Sequence, residues 1–198
     1  MILKSKLKNV KWILLFLVFL SYGALQAQTY KMVAKISVIK IEGTSSVHEW
    51  ESTTDQINGD MVIENDAKNG KQIQSLVVKV PVKSIKSGKG LMDTKTYDAF
   101  DSNKNPLIIF QLTDVSSFKL TGKDADAMVN GNLTMAGVAK KVSIKATGKL
   151  LADGSFQFKG SVPLKMSDFK MKTPTAMMGM LKTGDAVTIK FDVTFKSN

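Results

Sequence analysis

At 198 residues, 43% of them apolar, and with a mean hydropathy of −0.01, the chain can bury one substantial core but offers no long membrane-spanning run. Its formal charge is +11 and all 28 basic residues are lysine, so there is no bidentate arginine fork and base-specific reading of nucleic acid is excluded. The absence of cysteine removes disulfides, thiolate chemistry and a lipidated anchor, leaving packing alone to hold the domain.

In chain order, Lys4, Lys6, Lys8 and Lys11 precede the apolar segment "WILLFLVFLSYGALQA", which ends in small residues as an export signal does. Its uninterrupted run, Trp12 to Leu20, is far below the roughly 20 residues needed to cross a bilayer. We read residues 1–27 as a signal peptide cleaved near Ala27–Gln28, a periplasmic or secreted location, and residues 28–198 as a single domain. Past Tyr30 the apolar residues recur with period two, the pattern of strands with one buried face. In "GTSSVHEW", Ser46, His48 and Trp50 fall on one face and Val47, Glu49 and Glu51 on the other. Two unpaired glutamates are costly to bury, so the tryptophan face, with His48, is expected to be the inner one. The inward register continues through Leu76, Val78, Val80 and Val82. "GLMDTKTYDAFDSNKNP", from Gly90, puts Leu91, Thr94 and Phe100 near helical spacing and predicts a short helix ending before Pro106. Further stripes follow at Val142, Ile144, Ala146, Gly148 and Leu150, and at Phe156, Phe158, Gly160, Val162 and Leu164. "MSDFKMKTPTAMMGMLKTG", from Met166, reads as a loop or helical turn over one end of the sheet. The last stripe is Val187, Ile189, Phe191, Val193 and Phe195. Asn58-Gly59, Asn69-Gly70, Asn130-Gly131 and Asp153-Gly154 read as turns. These elements predict an all-β antiparallel meander of about eight strands with one short helix and a covering loop. Closure into a barrel removes both exposed edges, and at this strand number the interior is either filled by side chains or holds a ligand.

Catalytic and metal-binding motifs are scarce. One histidine and no cysteine do not make a zinc site, and Asp124 and Asp126 lack the glycine and distal glutamate of a calcium loop. Lys71, Lys89, Lys123 and Lys149 each follow a glycine without completing a phosphate loop, and "GKG" at Gly88 to Gly90 lacks the third glycine of a dinucleotide loop. Ser45 faces away from His48 in a strand, Ser46 stands about 7 Å from it along the strand, and no nucleophile elbow is present. No enzymatic activity and no cofactor are expected. Lys159, Lys190 and Lys196 alternate with apolar residues and belong to a wet outer face, or else give a cationic exterior that favours anionic lipid. Phe156, Phe158, Phe191 and Phe195 fall inward, unlike the exposed aromatics of a single-strand nucleic-acid binder. Met166, Met171, Met177, Met178 and Met180 either fill core gaps or adapt to a flexible apolar guest.

Five segments, "GTSSVHEW" (43–50), "VPVKSIKSGKGLMDTKTYDAF" (80–100), "NPLIIF" (105–110), "NGNLTMAGVAKKVSI" (130–144) and "GDAVTIKFDVTF" (184–195), together resemble the YceI family over nearly the whole mature chain. The resemblance implies an exported, lipocalin-like antiparallel barrel that binds a polyisoprenoid or similar long-chain amphiphile, for transport or storage, without catalysing a reaction. Many relatives carry a histidine and a threonine where this chain has Ala136 and Ala139, so its headgroup contacts are expected to differ. With that implication, Trp50, Phe110, Met135, Phe158, Phe169, Met178 and Phe191 are candidates for the ligand lining, by inward register or by place in the covering loop. Each is equally consistent with plain core packing. For His48 a satisfied interior imidazole and a headgroup contact both stay open. Expected partners are an isoprenoid or other amphiphilic lipid and an anionic membrane surface, with no nucleic acid, and the chain leaves room for a homodimer. The alternative is a filled barrel serving as a surface or macromolecular interaction module without a lipid.

Overall fold

The computed structural model describes residues 27–66 and 70–197. The expected signal peptide therefore lies, Ala27 apart, outside the described residues. These residues contain strands β1 (Ala27–Met32), β2 (Val38–Ser45), β3 (Glu49–Thr54), β4 (Asn58–Asp66), β5 (Gly70–Pro81), β6 (Leu107–Thr121), β7 (Asp124–Met135), β8 (Val138–Leu150), β9 (Phe156–Lys165), β10 (Thr175–Ala176) and β11 (Leu181–Ser197). Helix α1 (Gly90–Ala99) lies between β5 and β6. The strands pair antiparallel and run around a barrel in the order β1-β4-β5-β6-β7-β8-β9-β11. Tyr30 opposite Ser197, Lys31 opposite Lys196 and Met32 opposite Phe195 join β1 to β11 and close it. The expected eight-stranded antiparallel barrel with one short helix is the fold observed.

Two barrel positions are each built from two strands in series. β11 holds β1 near its end and β2 along its first half, from Thr183 opposite Ser45 to Asp192 opposite Val38, while β9 runs along its other edge. A single 3-10 turn, Ala34–Ile36, separates β1 from β2. Ser37 closes this break: its Oγ donates to Val33 O at 2.8 Å and accepts from Thr194 N at 3.0 Å. β4 then pairs with β1, and β3 with β2. On its other side β3 meets a single bridge among the described residues, Thr53 with Lys86. The segment carrying α1 fills that side, so one end of the barrel is roofed by a helix where a continuous ladder would otherwise run.

Period two is realised along the strands. In β11, Val187, Ile189, Phe191, Val193 and Phe195 face the lumen, and on the outer surface Lys190 pairs with Glu42 at 2.7 Å and Lys159 with Asp192 at 2.8 Å. Such half-exposed pairs contribute about 0–1 kcal/mol each, so burial of the inner stripe dominates the sheet's stability. Two of the expected turns are not turns. Asn58-Gly59 lies within β4 and Asn130-Gly131 within β7. Asn130 faces outward and is bonded to Asp114, Ser116 and Ser143, while Gly131 leaves space for Phe110, whose ring would stand 2.5 Å from an added Cβ. Asp153-Gly154 is a turn as expected, with Gly154 at φ +82. Gly70 has φ +72, and Asn69 lies outside the described residues. The β7–β8 hairpin instead turns on Ala136 and Gly137, both at positive φ, as a two-residue hairpin loop requires.

The core divides into two clusters. At the end opposite α1, Phe156 packs edge-on against Tyr30 (5.4 Å between centroids) and Phe118 (6.5 Å) and stacks on Phe158 (5.9 Å). Around the helical roof a second cluster joins Val82, Phe100, Met135, Met166, Phe169, Met171 and Val187.

Candidate ligand cavity and its mouth

Between the two clusters the inward stripes of the strands do not meet. They enclose a cavity of about 180 Å³ in which every lining side chain except Thr54 is apolar. Thr54 exchanges its polarity locally, through a 2.7 Å hydrogen bond to Ser84 Oγ, which itself donates to Pro81 O at 2.6 Å. The lumen is therefore an apolar hole, and engineered apolar cavities of only about 150 Å³ stay dry and accept apolar guests.

Four rings lie flat against the wall because the neighbouring strand carries glycine beneath them. An added Cβ would stand 2.4 Å from Trp50 at Gly43, 2.5 Å from Phe110 at Gly131, 2.5 Å from Phe158 at Gly148 and 2.4 Å from Phe191 at Gly160. For Trp50, Phe158 and Phe191 the glycine is the direct cross-strand partner. The missing side chains let large aromatic surface line the barrel without occupying its centre.

A second cavity, of about 310 Å³, opens above the first and shares Ile41, Ile85, Ile108, Met135 and Ile189 with it, so the two adjoin at an apolar waist. Its walls are mixed. The β2–β3 turn gives Ser45, Val47 and His48; α1 gives Leu91, Met92, Lys95, Thr96 and Ala99, preceded by Lys89; the β10–β11 side gives Thr175, Leu181, Lys182 and Thr183. Helical spacing explains the contribution of α1, since Met92, Thr96 and Ala99 recur at i, i+4 and i+7 on one face. Tyr97 latches the helix in place. Its hydroxyl accepts from Lys86 Nζ at 2.6 Å and sits 3.0 Å from both Lys83 O and Ile85 O. This hydrogen bond is the chief cause that raises the Lys86 ammonium above its ordinary value. Asp93 ties the loop before α1, accepting from Ser87 N at 2.7 Å and Ser87 Oγ at 2.6 Å. Partial burial of Asp93 favours its neutral form, but the Ser87 bonds and Lys86 outweigh burial and hold the carboxyl below the usual carboxylate value.

The residues proposed from sequence fall into three groups. Phe110, Phe158, Phe191 and Met135 line the inner cavity, and Trp50, His48 and Met135 line the mouth. Phe169 and Met178 line neither. Phe169 is buried behind the wall in the upper cluster, because the 3-10 turn Met166–Phe169 folds it outside the barrel stripe. Met178 is fully exposed at the tip of the β10–β11 hairpin. His48 is not an interior side chain either. The strand expected through it breaks at residues 46–48, leaving His48 exposed on a bend whose Ser45 Oγ donates to His48 O at 2.8 Å. The imidazole Nδ1 donates to Glu49 O at 2.8 Å, which fixes one tautomer at the rim. Trp50 does face inward, and its Nε1 donates to Thr44 O at 2.9 Å. Sequence reasoning missed Lys89, Lys95 and Lys182, three cations from two separate elements on one mouth. Lys89 precedes α1, Lys95 lies within it and Lys182 lies in β11, and only the tertiary fold assembles them. Among the described residues no group of three or more His, Asp or Glu side chains is placed to hold a metal ion.

A sequence signature described as the YceI-like domain matches residues 30–195, from the first closing strand to the last. The chain belongs to the YceI-like family. A UPF0312 protein of Pseudomonas paraeruginosa is 42% identical over 82 residues, which cover 38% of this chain and 39% of that protein. The YceI-like barrel recurs in Burkholderia cenocepacia BcnA, with a TM-score of 0.65, 20% identity, and coverage of 82% of this chain and 98% of BcnA. It recurs again in a polyisoprenoid-binding domain of Saccharophagus degradans implicated in plant cell wall breakdown, with a TM-score of 0.68, 12% identity, and coverage of 86% and 99%. At these identities the shared property is the YceI-like fold.

Proposed function

We propose that this protein is a non-enzymatic carrier or store for a polyisoprenoid or similar long-chain amphiphile, with the tail in the inner cavity and the headgroup at the mouth. The observation that carries this reading is the continuity of an apolar 180 Å³ lumen with a 310 Å³ mouth bearing His48 and three lysines. Transfer of an apolar tail from water yields about 25 cal/mol per Å² buried, so a lumen of this kind supplies affinity without specific contacts. Selectivity is then left to the polar rim. The family likeness, including a relative described as polyisoprenoid-binding, supports the same assignment. The lysine-led N-terminal segment supports action outside the cytoplasm, in the periplasm or as a secreted protein.

The test is native mass spectrometry of protein purified from its own cells, which should show a co-purifying amphiphile. Alongside it, Ala146→Phe fills the lumen from a buried wall position without adding charge. This variant should fold and lose binding of a fluorescent prenyl probe by about tenfold or more, since the ring takes the guest's space. Retention of full probe affinity by a folded Ala146→Phe variant, with no bound amphiphile in the native protein, would sink the proposal.

A further inference from the structure

We infer that the rim of the mouth is a docking lip for an anionic lipid bilayer. The inference rests on the reading of the cavity as a lipid site and adds the surface from which the lipid is exchanged. Four large apolar side chains stand in solvent around this opening: Val47 (62% exposed), Leu91 (69%), Met178 (106%) and Met180 (72%). They come from three segments. Val47 is on the β2–β3 turn, Leu91 is in the first turn of α1, and the methionines tip the β10–β11 hairpin. Ser46 N donates to Lys182 O at 2.9 Å and Lys182 N to Ser46 Oγ at 3.3 Å, so the turn and the hairpin form one edge. Val47 and Leu91 line the same mouth from opposite elements. Exposed apolar residues scattered singly are ordinary, but four of them gathered around an apolar opening mark an interaction surface.

Charge selects the occupant. Lys89, Lys95 and Lys182 line the mouth and no carboxylate does. Nearby acids are already engaged: Asp93 by Ser87 and Lys86, and Asp185 by Ser167 N at 2.8 Å and Ser167 Oγ at 2.6 Å. Glu49, exposed beside His48, is the nearest acidic side chain in sequence to the turn. Protein interfaces favour tyrosine, tryptophan and arginine and disfavour lysine. None of the four exposed apolar side chains of this lip is aromatic, and the chain has no arginine. Short apolar side chains flanked by lysines with long flexible stems suit the headgroup region of an anionic leaflet, where the ammonium groups stay at the phosphates. Docked in this way, the mouth faces the acyl chains, and a tail enters the lumen without crossing water.

Flotation of the full chain with phosphatidylcholine vesicles, with and without roughly 30% phosphatidylglycerol, tests the lip. Wild type should float with the anionic vesicles. The fourfold variant Val47→Ser, Leu91→Ser, Met178→Ser, Met180→Ser should partition about tenfold less or lower. Lys89→Gln, Lys95→Gln, Lys182→Gln should lose the phosphatidylglycerol dependence, while the charge-matched wall variant Lys140→Gln, Lys141→Gln, Lys145→Gln keeps it. Residues 1–26 are common to all variants and cannot produce these differences. Equal flotation of the lip variant and wild type, or equal loss in the wall variant, would overturn the inference. Prenyl-probe binding in vesicle-free buffer separates the two readings: the double variant Met178→Ser, Met180→Ser, at residues that line neither cavity, should float less than wild type yet bind the probe as wild type does, and a wild type that binds no probe refutes the cavity assignment whatever the vesicles show.

Discussion

Gly131, Gly148 and Gly160 set how wide the lumen is, and Gly43 does the same for its mouth. At Gly160 an added methyl group meets Phe191 Cζ at 2.4 Å and Lys145 O at 2.6 Å, and of these only the ring can move. Gly160→Ala should therefore push Phe191 into the lumen. The expected cost is about 1–3 kcal/mol of stability in urea denaturation, with weakened binding of the prenyl probe. A variant that matches wild type in both measurements would show that the sheet itself yields there. The sequence already places Gly148 and Gly160 on inward stripes, because period two is a property of one strand. What fills the space over them is invisible at that level, since the partner ring arrives from the next strand through its register. For the same reason Asn130-Gly131 imitates a hairpin turn, although its glycine serves Phe110. His48 is not an interior residue because strand alternation stops at a bend that Ser45 makes by bonding to the His48 main chain.

At the scale of elements, α1 and the loop before it form the adjustable wall of the mouth. The Asp93 carboxylate holds this loop through Ser87. Its folded value lies below the ordinary 3.8, so its contribution is fully present above that value and is lost as pH falls through the lower folded one. Hydrogen exchange of residues 86–96 should accelerate below about pH 3.8 relative to the barrel strands. Asp93→Ala should show that acceleration already at neutral pH and lose its dependence on acid, whereas exchange unchanged by the substitution would free Asp93 of this role. The helix itself was legible from the spacing of Leu91, Thr94 and Phe100. Its office as a roof was not, because that depends on β3 lacking a second ladder partner. The covering loop was likewise legible as a break in periodicity, but its division into a buried half, with Met166 and Phe169, and an exposed hairpin tip, with Met178 and Met180, follows from contacts distant in sequence.

For the whole molecule, the two ends differ in kind. One is sealed by Tyr30, Phe118, Phe156 and Phe158, and burial there pushes the Tyr30 hydroxyl above its ordinary value. The other is roofed by a helix, a hairpin and methionines. Amides of β1, β9 and the end of β11 should therefore exchange more slowly than those of α1 and the β10–β11 hairpin, and uniform protection would contradict this polarity. The need for closure was readable from the strand count. The strands that close were not, because two barrel positions are each shared by a broken pair. β11 is held by β1, β2, β9 and β10 together, yet follows all of them along the chain. The barrel therefore has no closed wall until β11 is in place, and joining Tyr30 to Ser197 demands a loop closure that runs from β1 to β11. Assembly thus sets the order of events: hairpins such as β6–β7 and β7–β8 can form locally and early, but closure of the wall must wait for β11.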